Sequence, residues 1–216
     1  LSPSGDYLLF LGYLKAYMDG DIGLLLLKTV AHLNAPFTAN WNDYPLTVEI
    51  VPAVFGLLAR WTGLLVASNL MYLSAHILAG VSFWCAGLLL RYRWPYVWAG
   101  SLLYAFSPYI IARNALQHPT LSYYWHLPLL VVAVGWILNG DVSRDRFKNG
   151  FCWVVSLIAG VFSPYYSFVY LQFLLFAFLL HWIRRQRGVA GWALAFIAVT
   201  LLGFLSMNLD TISYGW

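Results

Sequence analysis

Apolar and polar stretches alternate along the chain at a scale set by membrane thickness. A run from Leu64 to Leu90 meets the basic turn Arg91-Tyr92-Arg93-Trp94-Pro95, and a second run continues from Tyr96 to Ala112. About 20 residues at 1.5 Å rise cover the roughly 30 Å hydrocarbon core, so each run predicts a spanning helix. The same pattern predicts six transmembrane helices at 64–90, 95–112, 123–139, 151–163, 166–183 and 189–208. The run at 151–163 is short. It must begin inside the basic loop before it, or lie tilted and partly shielded.

The first sixty residues read differently. Residues 7–18 and 22–33 are apolar but too short to span, with Lys28 and His32 breaking the second. Residues 34–45 (NAPFTANWNDYP) carry the proline and asparagine of an ordered loop. Leu46 to Leu58 is again short and apolar, with Glu49 inside and Arg60 ending it. These segments predict helices lying on the membrane surface or packed against the bundle. The expected organisation is thus an interfacial layer over 1–62 and a transmembrane bundle over 63–216, an all-α polytopic fold.

Composition fits this pattern. The chain is 62% hydrophobic and 9% charged, against about 25% charged residues in soluble domains. Net charge is +4, yet the basic residues are divided among short loops with no basic stripe, so nucleic-acid binding has no support. Cys85 and Cys152 both fall in apolar runs and read as small buried hydrophobes. No initiator methionine opens the chain, and the expectation is a part of a longer protein.

Charge then orients the bundle. Eight of the twelve basic residues lie in the loops 91–93, 141–149 and 184–187, which fall on one side when six spans alternate. The positive-inside rule makes that side cytoplasmic. The first-sixty layer, the 113–122 loop and the C-terminal tail are then extracytoplasmic, in a multi-pass inner-membrane protein. Tryptophans and tyrosines near the predicted ends suit an aromatic belt.

Candidate chemistry gathers on the extracytoplasmic side. Asp6 follows Ser4-Gly5 and serves either as a base or cation contact or as the cap of the 7–18 helix. Asp19 and Asp21 flank a glycine. In a loop their carboxylates converge on a hard cation such as Mg or Mn; in a helix they point about 200° apart. Asp43 and Glu49 add two acids to the same surface. Arg113, Gln117 and His118 form a polar group suited to a phosphate, or else Arg113 snorkels and His118-Pro119 makes a turn. His76 stands mid-helix in the first span, where an ionisable group faces the bundle interior. No nucleophile elbow, P-loop or HExxH motif is present, and no span carries paired carboxylates.

Several of these stretches together resemble the polytopic membrane glycosyltransferases of the GT-C superfamily, in its poorly characterised bacterial branch. They are Gly5-Asp6, the segment Asn40 to Leu46 (NWNDYPL), Arg91-Tyr92-Arg93, Tyr104 to Pro108, Gln117-His118, and Trp125 to Leu129. The resemblance covers roughly residues 1 to 140. It implies a helical bundle with interfacial helices in its first extracytoplasmic loop, preceded by a transmembrane helix ahead of Leu1. It further implies transfer of a sugar from a polyprenyl-phosphate carrier to a glycan, lipid or protein acceptor, with Asp6 as base or metal contact and a divalent cation as the expected cofactor. On that basis Arg113 and His118 hold the leaving phosphate. The alternatives are a non-catalytic scaffold of the same fold and a lipid or glycan transporter.

Overall fold

The computed structural model describes residues 6–23, 28–30, 39–41, 49–115 and 119–214. The chain is largely α-helical and divides into two compact units. The first unit draws on Leu1–Ile77, Ala105–Tyr123 and Ser206–Trp216; the second on Leu78–Tyr104 and Tyr124–Leu205.

In the first unit, α1 (Asp6–Asp19) packs on α2 (Ile50–Thr62). Helix α1 stops because Gly20 takes a positive φ of 84°, a conformation open to a residue without a Cβ. Arg60 closes that end, its Nε donating to the Met18 carbonyl at 2.9 Å and a terminal nitrogen donating to the Tyr17 carbonyl at 3.1 Å. The two helices approach closely where Gly56 faces α1. A Cβ there would stand 2.4 Å from Tyr17 Cβ and 2.9 Å from the Leu14 carbonyl oxygen. Gly56→Ala is therefore expected to cost about 1–2 kcal/mol through overpacking, read as an earlier thermal unfolding of the detergent-purified protein; an unchanged midpoint would contradict this contact.

Among the described residues of 22–33 the expected helix is absent. Residues 28–30 are extended: β1 (Thr29–Val30) pairs antiparallel with β2 (Ala39–Asn40), and Ile22 bridges Lys28. A short apolar run does not distinguish helix from strand by periodicity, and the branched Thr29-Val30 pair favours the ladder. Residues 24–27 and 31–38 lie outside the described residues.

Helix α3 (Leu64–Leu89) begins after Gly63, also at φ 84°, and runs 26 residues, about 39 Å. Small residues point inward on it: Ala67, Ser68, Ala75, Ala79 and Ala86 are buried. Leu65, Val66, Leu73, Ile77 and Val81 are exposed. Small inside and large apolar outside is the arrangement of a helix whose solvent is lipid. Helices α9 (Pro164–Ile183) and α10 (Arg187–Met207), at about 30 Å and 32 Å, also expose large apolar side chains, while their buried faces mix small residues with Tyr170, Leu174 and Phe196. Among the described residues these three helices are long and apolar enough to cross a membrane, which suits a multi-pass membrane protein.

The other three predicted spans are shorter or broken. Residues 95–112 split into α4 (Trp94–Ala105) and α5 (Pro108–Ala115), because Pro108 holds Ser107 out of the helical region. At 12 residues α4 reaches only about 18 Å. Helix α6 (Pro119–Ser122) leads to α7 (Leu127–Leu138), likewise 12 residues. Helix α8 (Arg146–Phe162) resolves the short fourth run: it starts inside the basic loop, capped by the Asp145 carboxylate, which accepts from the Phe147 and Lys148 amides. A short α11 (Leu209–Tyr214) ends the described chain.

The second unit is cored by α7, α8, α9 and α10. Ile137, Cys152, Ala159, Leu174, Ala193 and Phe196 are fully buried there. Two polar side chains in this core are paired: Thr200 Oγ1 donates to the Phe196 and Ser156 carbonyls, and Ser156 Oγ meets the Tyr170 hydroxyl at 3.0 Å. Helix α3 and α4 meet within this unit, with the Ser101 hydroxyl donating to the Gly80 carbonyl at 2.6 Å. Both basic helix-to-helix turns place an arginine in the left-handed region, Arg91 at φ 59° and Arg185 at φ 60°.

Candidate functional site

Residues Gly12, Lys15, Ala16 and Asp19 fall at i, i+3, i+4 and i+7, one stripe along α1. The opposite stripe, Phe10, Tyr13, Leu14 and Tyr17, is buried. Helix α1 thus turns Lys15 and Asp19 outward, with Ala16 buried at the base of the stripe. That stripe forms one wall of an open cup of about 610 Å³, completed by Asp21, Val30 and Trp41. The β ladder sets the far wall, since the Trp41 amide donates to the Lys28 carbonyl at 2.7 Å. The indole also packs edge-on against Tyr13, with ring centroids 4.9 Å apart. Its volume lies within the range of small-molecule sites.

Lys28 also belongs to a second feature. It is 1% exposed, and its ammonium faces Glu49 Oε1 at 3.3 Å and, closer still, the carboxylate of Asp210 on α11. Glu49 is 1% and Asp210 0% exposed. The Tyr17 hydroxyl donates to Glu49 at 2.9 Å. Burial first, and then the charge of Glu49 and its hydrogen bond, push the Tyr17 phenol above its usual range. One ammonium here stands between two carboxylates, so Lys28 ties Glu49 to Asp210 and the cluster braces the layer behind the cup.

The sequence-based site residues separate under this geometry. Asp6 begins α1, thirteen residues or about 20 Å along the axis from Asp19 and about 9 Å from Gly12, the near edge of the cup; its side chain lies outside the described residues. Asp43, Gln117 and His118 also lie outside them. Asp19 and Asp21 do share the cup. Both oxygens of Asp19 are already held by Lys15, at 2.6 and 2.5 Å. Among the described residues no group of three or more His, Cys, Asp or Glu side chains stands together to hold a metal ion. Asp19 and Asp21 are the two carboxylates at the cup, and Mg is commonly held by one or two carboxylates with water and substrate phosphate completing its shell.

Glu49 is committed to Lys28 and Tyr17. His76 meets the Ala105 carbonyl through Nδ1 at 2.7 Å and stacks on Phe106, a bridge from α3 to the end of α4. Arg113 sits in the last turn of α5, its guanidinium 5.3 Å from the centre of the Tyr109 ring. The sequence pattern did not single out Lys15, Trp41 or Asp210 as parts of a site. For Asp210 a usable signal existed. Lone charges in apolar runs tend to pair with one another, and Lys28, Glu49 and Asp210 are each such a charge.

No family model matches the sequence. No curated protein matches it. No solved structure matches the fold.

Proposed function

We propose that this chain is the membrane part of a GT-C-like glycosyltransferase that takes a sugar from a polyprenyl-phosphate donor and passes it to an extracytoplasmic glycan, lipid or protein acceptor. The observation that carries the reading is the cup on α1. It brings the Asp21 carboxylate, beside the Lys15–Asp19 pair, for sugar hydroxyls and an indole for a sugar's apolar face, on a chain whose long helices suit a bilayer. In this scheme Asp21 and Trp41 hold the far end of an extended acceptor glycan, about 20 Å along α1 from the reacting hydroxyl at Asp6. Asp6 takes the proton from the acceptor hydroxyl, the acceptor oxygen bonds to the anomeric carbon, and the bond to the carrier phosphate breaks. The Arg113 guanidinium, with His118, receives the leaving polyprenyl phosphate by charge-assisted hydrogen bonds. The basic loops 91–93, 141–149 and 184–187 are cytoplasmic on this reading.

Proteoliposomes supplied with labelled polyprenyl-phosphate sugars test it. Asp6→Asn is expected to lower turnover at least about 100-fold, the usual worth of a positioned base. Asp21→Asn and Trp41→Ala are expected to raise KM about tenfold, as loss of a charge-assisted hydrogen bond or a packing face does. Equal transfer by all three variants would remove both Asp6 and the cup. A non-catalytic scaffold is favoured by one observation: Asp19, Glu49 and Asp210 are each occupied by a lysine. Absence of transfer by the wild-type protein, with its fold intact, supports that second reading.

A further inference from the structure

His126, at the start of α7, is fully buried, yet neither ring nitrogen has a hydrogen-bond partner. The neighbouring Trp125 Nε1 is buried and unpartnered as well. The imidazole is enclosed by Trp125, Phe162 and Tyr166, with centroids 5.8, 5.8 and 5.4 Å away. A neutral imidazole carries one N–H and one bare nitrogen, and burying both unmet costs solvation that nothing returns. Buried groups of this kind call for an occupant.

Two of the residues at this box, Leu127 and Tyr166, also begin a groove of about 290 Å³ that continues past Val131, Val134, Val169 and Phe173. It is apolar apart from its tyrosines. From Tyr166 to Phe173 it follows α9 for about 10 Å from that helix's first turn. Since α9 is of spanning length, the groove runs inward from the interface, where the surrounding medium is hydrocarbon and not water. A chain suits the groove, and a polar head suits its outer end. One head group reaches only one ring nitrogen, so the head must donate to the bare nitrogen and accept from the indole N–H. A hydroxyl does both. An ionised head has no proton for the bare nitrogen and loses its hydration on entry.

We infer that the α7–α9 groove binds a long-chain lipid with an uncharged hydroxyl head, its chain against Val131 and Phe173 and its hydroxyl on His126 and Trp125. Tyr166, between groove and imidazole, turns aside to admit the head.

The test uses the full chain in nanodiscs and three diazirine-bearing probes of equal chain length: a primary alcohol, the matched alkane and the matched carboxylate. Cross-linked peptides are mapped by mass spectrometry. The alcohol is expected to label residues 127–134 and 166–173 roughly fivefold more than the alkane or the carboxylate, the worth of one ordinary hydrogen bond. His126→Phe should erase that preference, His126→Gln should keep part of it, and Val131→Trp should block labelling by filling the groove. Equal labelling by alcohol and alkane, or a preference unchanged in His126→Phe, would overturn the site, and preference for the carboxylate would overturn the uncharged head. If His126→Phe does not fold, the probe comparison on wild type and Val131→Trp decides alone.

Discussion

Replacing Lys28 by methionine is expected to be the most damaging single change in the first unit. Methionine keeps the stem and removes the ammonium. Glu49 and Asp210 are then left as two buried carboxylates with no cation between them. Breaking a buried pair by deleting one partner costs about 3–5 kcal/mol, or about 10 °C in unfolding midpoint for a chain of this size. The penalty comes from the stranded acids, not from the lost lysine. The triple variant Lys28→Met, Glu49→Gln, Asp210→Asn is therefore expected to recover much of the loss, since neutral amides are cheaper to bury. Thermal unfolding in detergent reads both. A single variant that melts with wild type, or a triple no better than the single, would show that the cluster does not brace this layer.

The second large effect is expected at the α8–α10 contact. A Cβ on Gly160 would stand 2.2 Å from the Thr200 carbonyl oxygen and 3.0 Å from its carbon, both backbone atoms. A side chain might rotate away from such an intrusion, but a helix backbone does not. Gly160→Ala is expected to cost about 3 kcal/mol, the upper end for overpacking, and Gly160→Leu to prevent the two helices from closing. The control lies on α10 itself. Gly191 has nothing within 4 Å of the same added atom, so Gly191→Ala should stabilise by about 0.5–1 kcal/mol through helix propensity alone. Opposite signs at the two glycines would identify close approach as the cause. Equal effects would contradict it.

Much of the helical frame was legible from the hydrophobic pattern because bilayer length is a strong filter. The helices at α3, α9 and α10 lie within two residues of their expected bounds, and α2 follows a run whose end Arg60 marks. The break before Pro108 was written in the residue itself, yet a continuous apolar run hid it. The 28–30 segment was lost to the helix–strand ambiguity of short apolar stretches. The candidate site was harder to see. Lys28 and Asp210 pair across 182 residues, and no local pattern encodes a contact of that range. Trp41 stood inside a stretch read as loop and as one segment of the family resemblance, and its place on the cup comes from a ladder of two-residue strands. Asp19 and Asp21 were visible as a pair; their shared cavity depended on the Gly20 turn.

The two arginines at positive φ carry a consequence for biogenesis. Glycine would sit at φ 59° and 60° without strain, whereas a residue with a Cβ is disfavoured there by about 1 kcal/mol. The finished fold alone gives no reason to keep Arg91 and Arg185 at these turns. On the proposed topology, with loops 91–93 and 184–187 cytoplasmic, insertion does: a guanidinium resists being carried through hydrocarbon while a helical hairpin enters the bilayer. On that topology the mature protein carries the residual strain of the two turns as the trace of how it was threaded.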